Sequence, residues 1–113
     1  KKQKVLLEIK TSDEATKYGL VSELEILNTV ELCKRLSNID LVGLMTMAPY
    51  TDNFNVIRNC FVKLRETKDK INRSGFNLKE LSMGMTNDYE IAIEEGATML
   101  RVGTAIFGER NYQ

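Results

Sequence analysis

The feature that most constrains the fold is a fourfold alternation of a short apolar segment with a longer amphipathic one. The apolar runs occupy residues 5–9, 41–47, 78–83 and 98–102. They lack the strict apolar–polar alternation of strands with one solvated face, and the run 41–47 is nearly all apolar, as in strands covered on both faces. Parallel strands joined by helical, right-handed crossovers are the usual outcome of this order. The sequence therefore predicts an α/β fold made of βα units.

The segments between the runs carry helix start signals, helix stop signals and one apolar stripe each. Ser22 and Glu25 form a capping box that predicts a helix start, with an end near 37–38. A second helix is predicted over about 52–73, and Gly75 is placed to terminate it. A third is predicted to open at Thr86 and to stop at Gly96. The predicted buried stripes are Ile26, Leu27, Val30, Cys33 and Leu36; Phe54, Ile57, Phe61, Leu64 and Ile71; and Tyr89, Ala92 and Ile93.

Four βα units form either a small open sheet or half of a closed barrel. A complete (β/α)8 barrel typically needs about 250 residues, and this chain has 113. We favour the half-barrel, residues 1–113 being the last four units of a TIM-type barrel. An isolated half leaves open sheet edges, which proteins avoid. The chain also begins without Met and enters a strand within about four residues. We therefore expect a missing N-terminal half, supplied by the same protein or by another chain.

The composition argues against several classes of function. Sixteen basic and sixteen acidic residues give a formal net charge of zero, whereas a nucleic-acid or anionic-membrane surface needs a basic excess. The sequence has no histidine and no CxxC motif, which rules out a His-based zinc site, a His general base and a His-activated nucleophile within it. Cys33 and Cys60 are interpreted as core thiols. No signal-peptide pattern is present, so a cytoplasmic location is expected, with no membrane partner, no metal and no catalytic residue assigned.

Two small-residue turns at strand ends indicate a phosphate site. The first, at 82–86, contains Ser82, Gly84, Met85 and Thr86; the second follows Arg101 and contains Gly103 and Thr104. Glycine permits close backbone approach, and helix N-termini offer unpaired N–H groups. In a (β/α)8 barrel the commonest phosphate site lies after the last two strands. The alternative is structural, with plain turn glycines at Gly84, Gly96 and Gly103, and a strand-end hydroxyl at Ser82.

The same residues carry a family resemblance. The segments 81–88 and 101–108, with Ala92, Ile93, Gly96 and Thr98, resemble the C-terminal signature of the pyridoxal 5′-phosphate homeostasis protein family, the YggS/PROSC group. The strand 43–49 and the segment 6–20 are also similar to that family, so the resemblance covers the whole chain. It implies a single-domain barrel like the N-terminal domain of alanine racemase, with pyridoxal 5′-phosphate (PLP) as the cofactor and a role in vitamin B6 homeostasis.

The resemblance also implies how the ligand is held. Ser82, Thr86, Gly103 and Thr104 hold the phosphate, Gly84 and Met85 shape the first turn, and Arg101 faces the pyridine nitrogen. The lysine that forms the family's Schiff base belongs to the N-terminal half, and no lysine of this chain matches its motif. Lys10 stands where the family usually has asparagine, and no role is assigned to it.

Three functions remain open at this point. The favoured one is a PLP-binding homeostasis protein without catalysis. The second is a PLP-dependent amino-acid racemase, against which stand the absent lysine, the lack of a placed general base and the lack of a second domain. The third is another phosphate-binding barrel, such as a sugar-phosphate enzyme, which would bind a phosphorylated ligand without requiring an aldehyde.

Overall fold

The computed structural model describes residues 2–12 and 22–101, which form one parallel sheet and three helices. The strands are β1 (Gln3–Glu8), β2 (Ile39–Met45), β3 (Glu80–Met85) and β4 (Met99–Arg101). The helices are α1 (Glu23–Arg35), α2 (Phe54–Arg73) and α3 (Tyr89–Glu94). Element order in this part of the chain is strictly alternating, which confirms the α/β fold and its βα units.

The strands lie in the sheet in the order in which they occur in the chain, and every neighbouring pair is parallel. Right-handed crossovers between successive neighbours place all their helices on the same face of a sheet. The buried cluster agrees, because it joins Ile26 and Val30 of α1, Ile57 and Phe61 of α2 and Ala92 of α3. This one-sided arrangement is that of a barrel wall, where a doubly wound sheet would have helices on both faces.

Strand register separates the two faces of the sheet. Leu7, Leu44 and Leu81 form one row across the sheet, and Leu44 and Leu81 are buried beneath the helices. Glu8, Met45, Ser82 and Met99 form the next row, which points to the opposite side because successive side chains alternate. We call this second side, with Arg101 two residues beyond Met99, the open face.

The interior of each long helix follows the predicted stripe, whereas residues near several helix ends do not. Ile57, Phe61, Leu64 and Ile71 are at most 2% exposed. Phe54 is the first residue of α2 and is exposed, as are Leu36 after α1 and Ile93 near the end of α3. These positions keep the helical period but lie at ends or on sides that the sheet does not cover. Cys33 and Cys60 are buried, which confirms them as core thiols.

Local start and stop signals are also observed. The Ser22 Oγ accepts a 3.0 Å hydrogen bond from the Glu25 N–H, as the capping box predicts. Gly75, with φ +106°, follows the last turn of α2 and donates its N–H to the Asn72 carbonyl. Gly96, with φ +99°, ends α3 in the same left-handed conformation. All three signals act through a few neighbouring residues, so they could be predicted from the sequence.

Candidate functional site

A cavity of about 300 Å³ lies at the carboxyl edge of the sheet. Its walls come from the ends of three strands: Lys10 and Thr11 after β1, Thr46 and Met47 after β2, and Met85 at the end of β3. Ligands of barrel proteins bind at this edge, because loops from several parallel strands converge there. The volume is at the lower end of the range for small-molecule pockets.

Two buried threonines close the cavity between β1 and β2. The Thr46 hydroxyl donates to the Ile9 carbonyl at 2.7 Å, and the Thr11 and Thr46 hydroxyl oxygens are 2.8 Å apart. A hydroxyl has one proton, so Thr46 accepts in the second bond and Thr11 donates. The pair therefore ties the ends of the two strands together and leaves lone pairs on the Thr11 oxygen. The Cys60 thiol contacts the Thr11 carbonyl at 3.6 Å and links this corner to α2.

The turn after β3 differs in detail from the predicted helix start. Residues 86–88 form a turn, and α3 begins at Tyr89 after Asp88, so Thr86 is not the residue that caps the helix. Asp88 is buried and its carboxylate accepts a 2.7 Å bond from the Met85 N–H, while its own N–H donates to the Met85 carbonyl. The Met85 amide is therefore already bonded. Within the part of the chain that the structure describes, the Thr86 and Asn87 amides make no hydrogen bond.

Gly84 is required by the packing behind this turn. Its φ is +106°, and a Cβ added there would lie 2.6 Å from Ala92 Cβ and 2.9 Å from Leu100 Cδ2. The absent side chain therefore makes room for α3 and β4. The packing therefore supports the structural explanation of Gly84. It also fixes the path of the chain into the turn at which we predicted that the phosphate binds.

Arg101 lies at the carboxyl end of β4 on the open face. Its guanidinium contacts Met45 Sδ at 2.7 Å and Met47 Sδ at 3.9 Å, so the side chain extends across β3 towards the cavity. No carboxylate pairs with it among the described residues. Met47 is 44% exposed, so it lies at the edge of the sheet and outside the packed core. Arg101 is thus a donor without a carboxylate partner among the described residues, and it contacts Met47, which lines the cavity.

The seven predicted site residues fall into three groups. Met85 lines the cavity, and Arg101 reaches Met47, which also lines it. Ser82 is buried in the row between Met45 and Met99, Gly84 lies near the end of β3, and Thr86 is the first residue of the turn that follows. Gly103 and Thr104 lie outside the described residues. The sequence assigned no role to the cavity residues Lys10, Thr11 and Thr46, because a single threonine at a strand end has no distinguishing pattern and Lys10 departs from the family's usual asparagine.

An ion-pair cluster anchors α3, and with it the turn and β4, to α2. The Glu95 carboxylate pairs with both Arg58 and Arg65, and Arg65 also donates to the Glu95 backbone carbonyl at 3.2 Å. Glu94 pairs with Arg58 at 2.6 Å. The hydrogen bonds from Arg58 and Arg65 lower the pKa of Glu95 below its ordinary value, although burial opposes this. The Glu95 side chain is only 12% exposed, so this carboxylate is the centre of the cluster.

Within the described part of the chain, no three His, Cys, Asp or Glu side chains converge in a way that could hold a metal ion. No helix within 2–12 and 22–101 combines the length and apolar character that crossing a membrane requires.

Comparison with known proteins identifies the class. Residues 1–111 match the family described as alanine racemase, N-terminal domain, and the chain belongs to that family. This agrees with the one-sided βα sheet and the cavity at its carboxyl edge.

Within that class, the chain is similar to proteins named pyridoxal phosphate homeostasis protein, which confirms the resemblance stated above. It is 45% identical over 111 residues to the one from Aquifex aeolicus, covering 97% of this chain and 48% of the relative. The human protein of the same name is 35% identical over 113 residues, covering 96% and 41%. The chain thus spans about half the length of these relatives.

Solved structures give the same result. An unknown protein from Bifidobacterium adolescentis matches with a TM-score of 0.84 and 43% identity, over 94% of this chain and 43% of that one. PipY of Synechococcus elongatus with PLP bound matches with a TM-score of 0.78 and 28% identity, over 93% and 49%. PipY without PLP gives a TM-score of 0.85 and 29% identity, over 95% and 50%.

Proposed function

We propose that this chain is the C-terminal half of a (β/α)8 barrel that binds PLP, in a protein of vitamin B6 homeostasis. The phosphate is held at the turns after β3 and β4, by Ser82, Thr86, Gly103 and Thr104. Gly84 and Met85 shape the first turn. The open face of the sheet packs against the N-terminal half of the barrel, supplied by the same protein or by another chain.

The observation that carries the proposal is that two backbone amides and one guanidinium lie at the same edge of the sheet. The turn after β3 offers the Thr86 and Asn87 amides, and the Arg101 guanidinium lies on the open face beside it. Successive backbone N–H groups in a turn favour an anion. The donors therefore fit a phosphorylated ligand whose remaining part extends over the sheet towards β2. Relatives named for PLP homeostasis and the PLP-bound PipY support the choice of PLP.

Arg101 determines how the site interacts with the pyridine ring of PLP. Bound PLP supplies an aldehyde and an electron-accepting pyridine ring. Arginine remains protonated and can only donate, so an Arg101 that faces the pyridine nitrogen keeps that nitrogen unprotonated. An unprotonated ring withdraws electrons less strongly, which disfavours carbanion chemistry. This supports a role in storing or delivering the cofactor over a role in racemisation, as do the names of the relatives.

Titration of the purified protein with PLP, followed by absorbance and by calorimetry, tests the ligand. We expect Arg101→Ala and Thr104→Ala to weaken binding about tenfold or more, since each removes a donor to a charged or strongly polar group. Arg73→Ala is the matched control, because Arg73 is an exposed residue at the end of α2, distant in the chain from both turns. Equal affinity in all four proteins, or no binding by the unaltered protein, contradicts the proposal. Racemase activity towards amino acids would favour the enzymatic alternative.

Intact mass and sedimentation of the same material test the barrel. A barrel of this kind needs about 250 residues. We expect either a longer polypeptide or an association of chains that reaches this size. A monomer of 113 residues that binds PLP as tightly as a complete barrel would contradict the proposed half.

A further inference from the structure

Within the described part of the chain, the Arg101 guanidinium contacts two methionine sulfurs and pairs with no carboxylate. Its nitrogens lie 2.7 Å from Met45 Sδ and 3.9 Å from Met47 Sδ. Glu8 lines the same cavity as Met47, but among residues 2–12 and 22–101 it makes no ion pair with Arg101. A thioether sulfur is a weak hydrogen-bond acceptor, so these two contacts compete only weakly with a ligand for the guanidinium.

Met47 is the more accessible of the two methionines. It is 44% exposed and follows β2 at the carboxyl edge, whereas Met45 is half-buried as the last residue of that strand. Met85 and Met99 have nearly the same exposure, 40% and 43%, and no contact with a guanidinium is found for them in the described segments. Met47 therefore differs from equally exposed methionines in what its sulfur touches.

We propose that Met47 is an oxidation site, and that its sulfoxide lowers the affinity for PLP by competing for Arg101. This inference rests on the proposed function. The oxidant is a peroxide: the thioether sulfur attacks one peroxide oxygen, the O–O bond breaks and an S–O bond forms. The sulfur is oxidised by two electrons and the peroxide is reduced. With hydrogen peroxide, the proton of the transferred oxygen passes to the departing hydroxide, which leaves as water.

The position of Met47 makes its sulfoxide a partner for Arg101. The distance from the Arg101 nitrogen to Met47 Sδ exceeds a typical N–H···O hydrogen bond by about 1 Å. An oxygen bonded to that sulfur on the side of Arg101 closes this gap. Hydrogen bonds from a charged donor are roughly twice as strong as neutral ones, so the sulfoxide holds the guanidinium away from the ligand. Methionine sulfoxide reductases restore the thioether, which makes the change reversible.

Limited oxidation of the purified protein with hydrogen peroxide tests the inference, with peptide mass spectrometry to locate the added oxygen and calorimetry to measure PLP binding. We expect the Kd for PLP to rise about tenfold when Met47 is oxidised, and to return after treatment with both methionine sulfoxide reductases. Treated and untreated samples of each variant are compared. Met47→Leu should lose the sensitivity to peroxide. Met99→Leu is the matched control and should keep it, since Met99 is equally exposed but distant from the guanidinium contact.

Substitution tests the competition for Arg101 without an oxidant. Met47→Gln places an amide oxygen, a stronger acceptor than sulfur, on an unbranched side chain, and should raise the Kd for PLP about as much as oxidation does. In an Arg101→Ala background, Met47→Gln should have no further effect, because the contested donor is absent. A loss of affinity that persists in that background overturns the competition for Arg101.

Two further results contradict the inference while leaving the proposed function in place. The first is an equal response of Met47→Leu and Met99→Leu to peroxide, since another group then carries the effect. The second is complete oxidation of Met47 with an unchanged Kd for PLP. If the untreated, unaltered protein does not bind PLP, the proposed function is contradicted and the inference with it.

Discussion

The two faces of the sheet are built from neighbouring residues of the same strands, yet they have different roles. On β2, Leu44 is fully buried beneath the helices, whereas Met45, the next residue, belongs to the open face and contacts Arg101. The helix-covered face is apolar and supplies most of the stabilising burial. The open face carries charged residues such as Glu8 and Arg101, whose burial would cost free energy without partners. The difference shows which face is packed for stability, and the other face is the one for which we propose a ligand.

The largest predicted effect tests the difference between the two faces of the sheet directly. Leu44→Ala should lower the free energy of unfolding by about 3 kcal/mol, because it leaves a cavity in the packed face. Met47→Ala, at the edge of the open face, should cost about 1 kcal/mol or less, since Met47 is 44% exposed. Urea unfolding of both variants measures the contrast. Comparable losses would show that Met47 is packed as tightly as the core and that the distinction between the faces is wrong at this edge.

A second prediction separates backbone conformation from packing. Gly84→Ala should destabilise the fold by about 2 to 4 kcal/mol, because it combines a positive φ with overpacking against Ala92 and Leu100. Gly75→Ala has the same φ of +106° but nothing within 4 Å of its added Cβ, so about 1 to 2 kcal/mol is expected. Thermal unfolding of the pair gives the packing contribution as their difference. If the two costs are equal, the close approach of α3 and β4 to Gly84 is not what requires glycine.

A third prediction concerns the cap of α1 on the helix-covered side. Ser22→Ala should cost about 1 kcal/mol, since it removes the acceptor for the Glu25 N–H. Ser74→Ala is the control, because its hydroxyl makes only a 3.5 Å contact with the Lys70 carbonyl at the other end of a helix. Chemical denaturation should show a lower free energy of unfolding for Ser22→Ala and no change for Ser74→Ala. A neutral Ser22→Ala would mean that water replaces the cap at no cost.

The smallest predicted effect is a pH dependence of the α2–α3 cluster. The pKa of Glu95 is lower in the folded than in the unfolded protein, so its contribution to stability is fully present above the unfolded value, near 4.5. That contribution is lost as the pH falls through the folded pKa. Glu95→Gln should remove this part of the acid dependence, and the effect is modest because Arg58 and Arg65 are about 40% exposed.

Thermal unfolding between pH 3 and 7 measures this dependence. Glu94→Gln provides the comparison, since Glu94 pairs with the same Arg58 but is 61% exposed. A larger pH effect for Glu94 than for Glu95 would contradict the assignment of Glu95 as the centre of the cluster.

The sequence by itself determined the features that depend on residues close together in the chain. Four apolar runs, the capping box at Ser22 and the left-handed glycines at 75 and 96 are short-range signals, and each lies where the structure has a strand, a helix start or a helix end. The buried stripe of α2 followed in the same way from its helical period. Family motifs around residues 82–86 and Arg101 also predicted a PLP site, because such motifs are associated with the ligand that the family binds.

Only the tertiary structure decided which strand ends meet and what fills the space between them. The cavity joins Lys10, Thr46 and Met85, residues about 40 positions apart, through the order of the strands in the sheet. Tertiary structure also showed that the Met85 amide is already bonded to Asp88 and that Gly84 is needed for packing. A sequence pattern records periodicity along the chain, whereas these contacts depend on strand register and on the packing of α3, which no local pattern specifies.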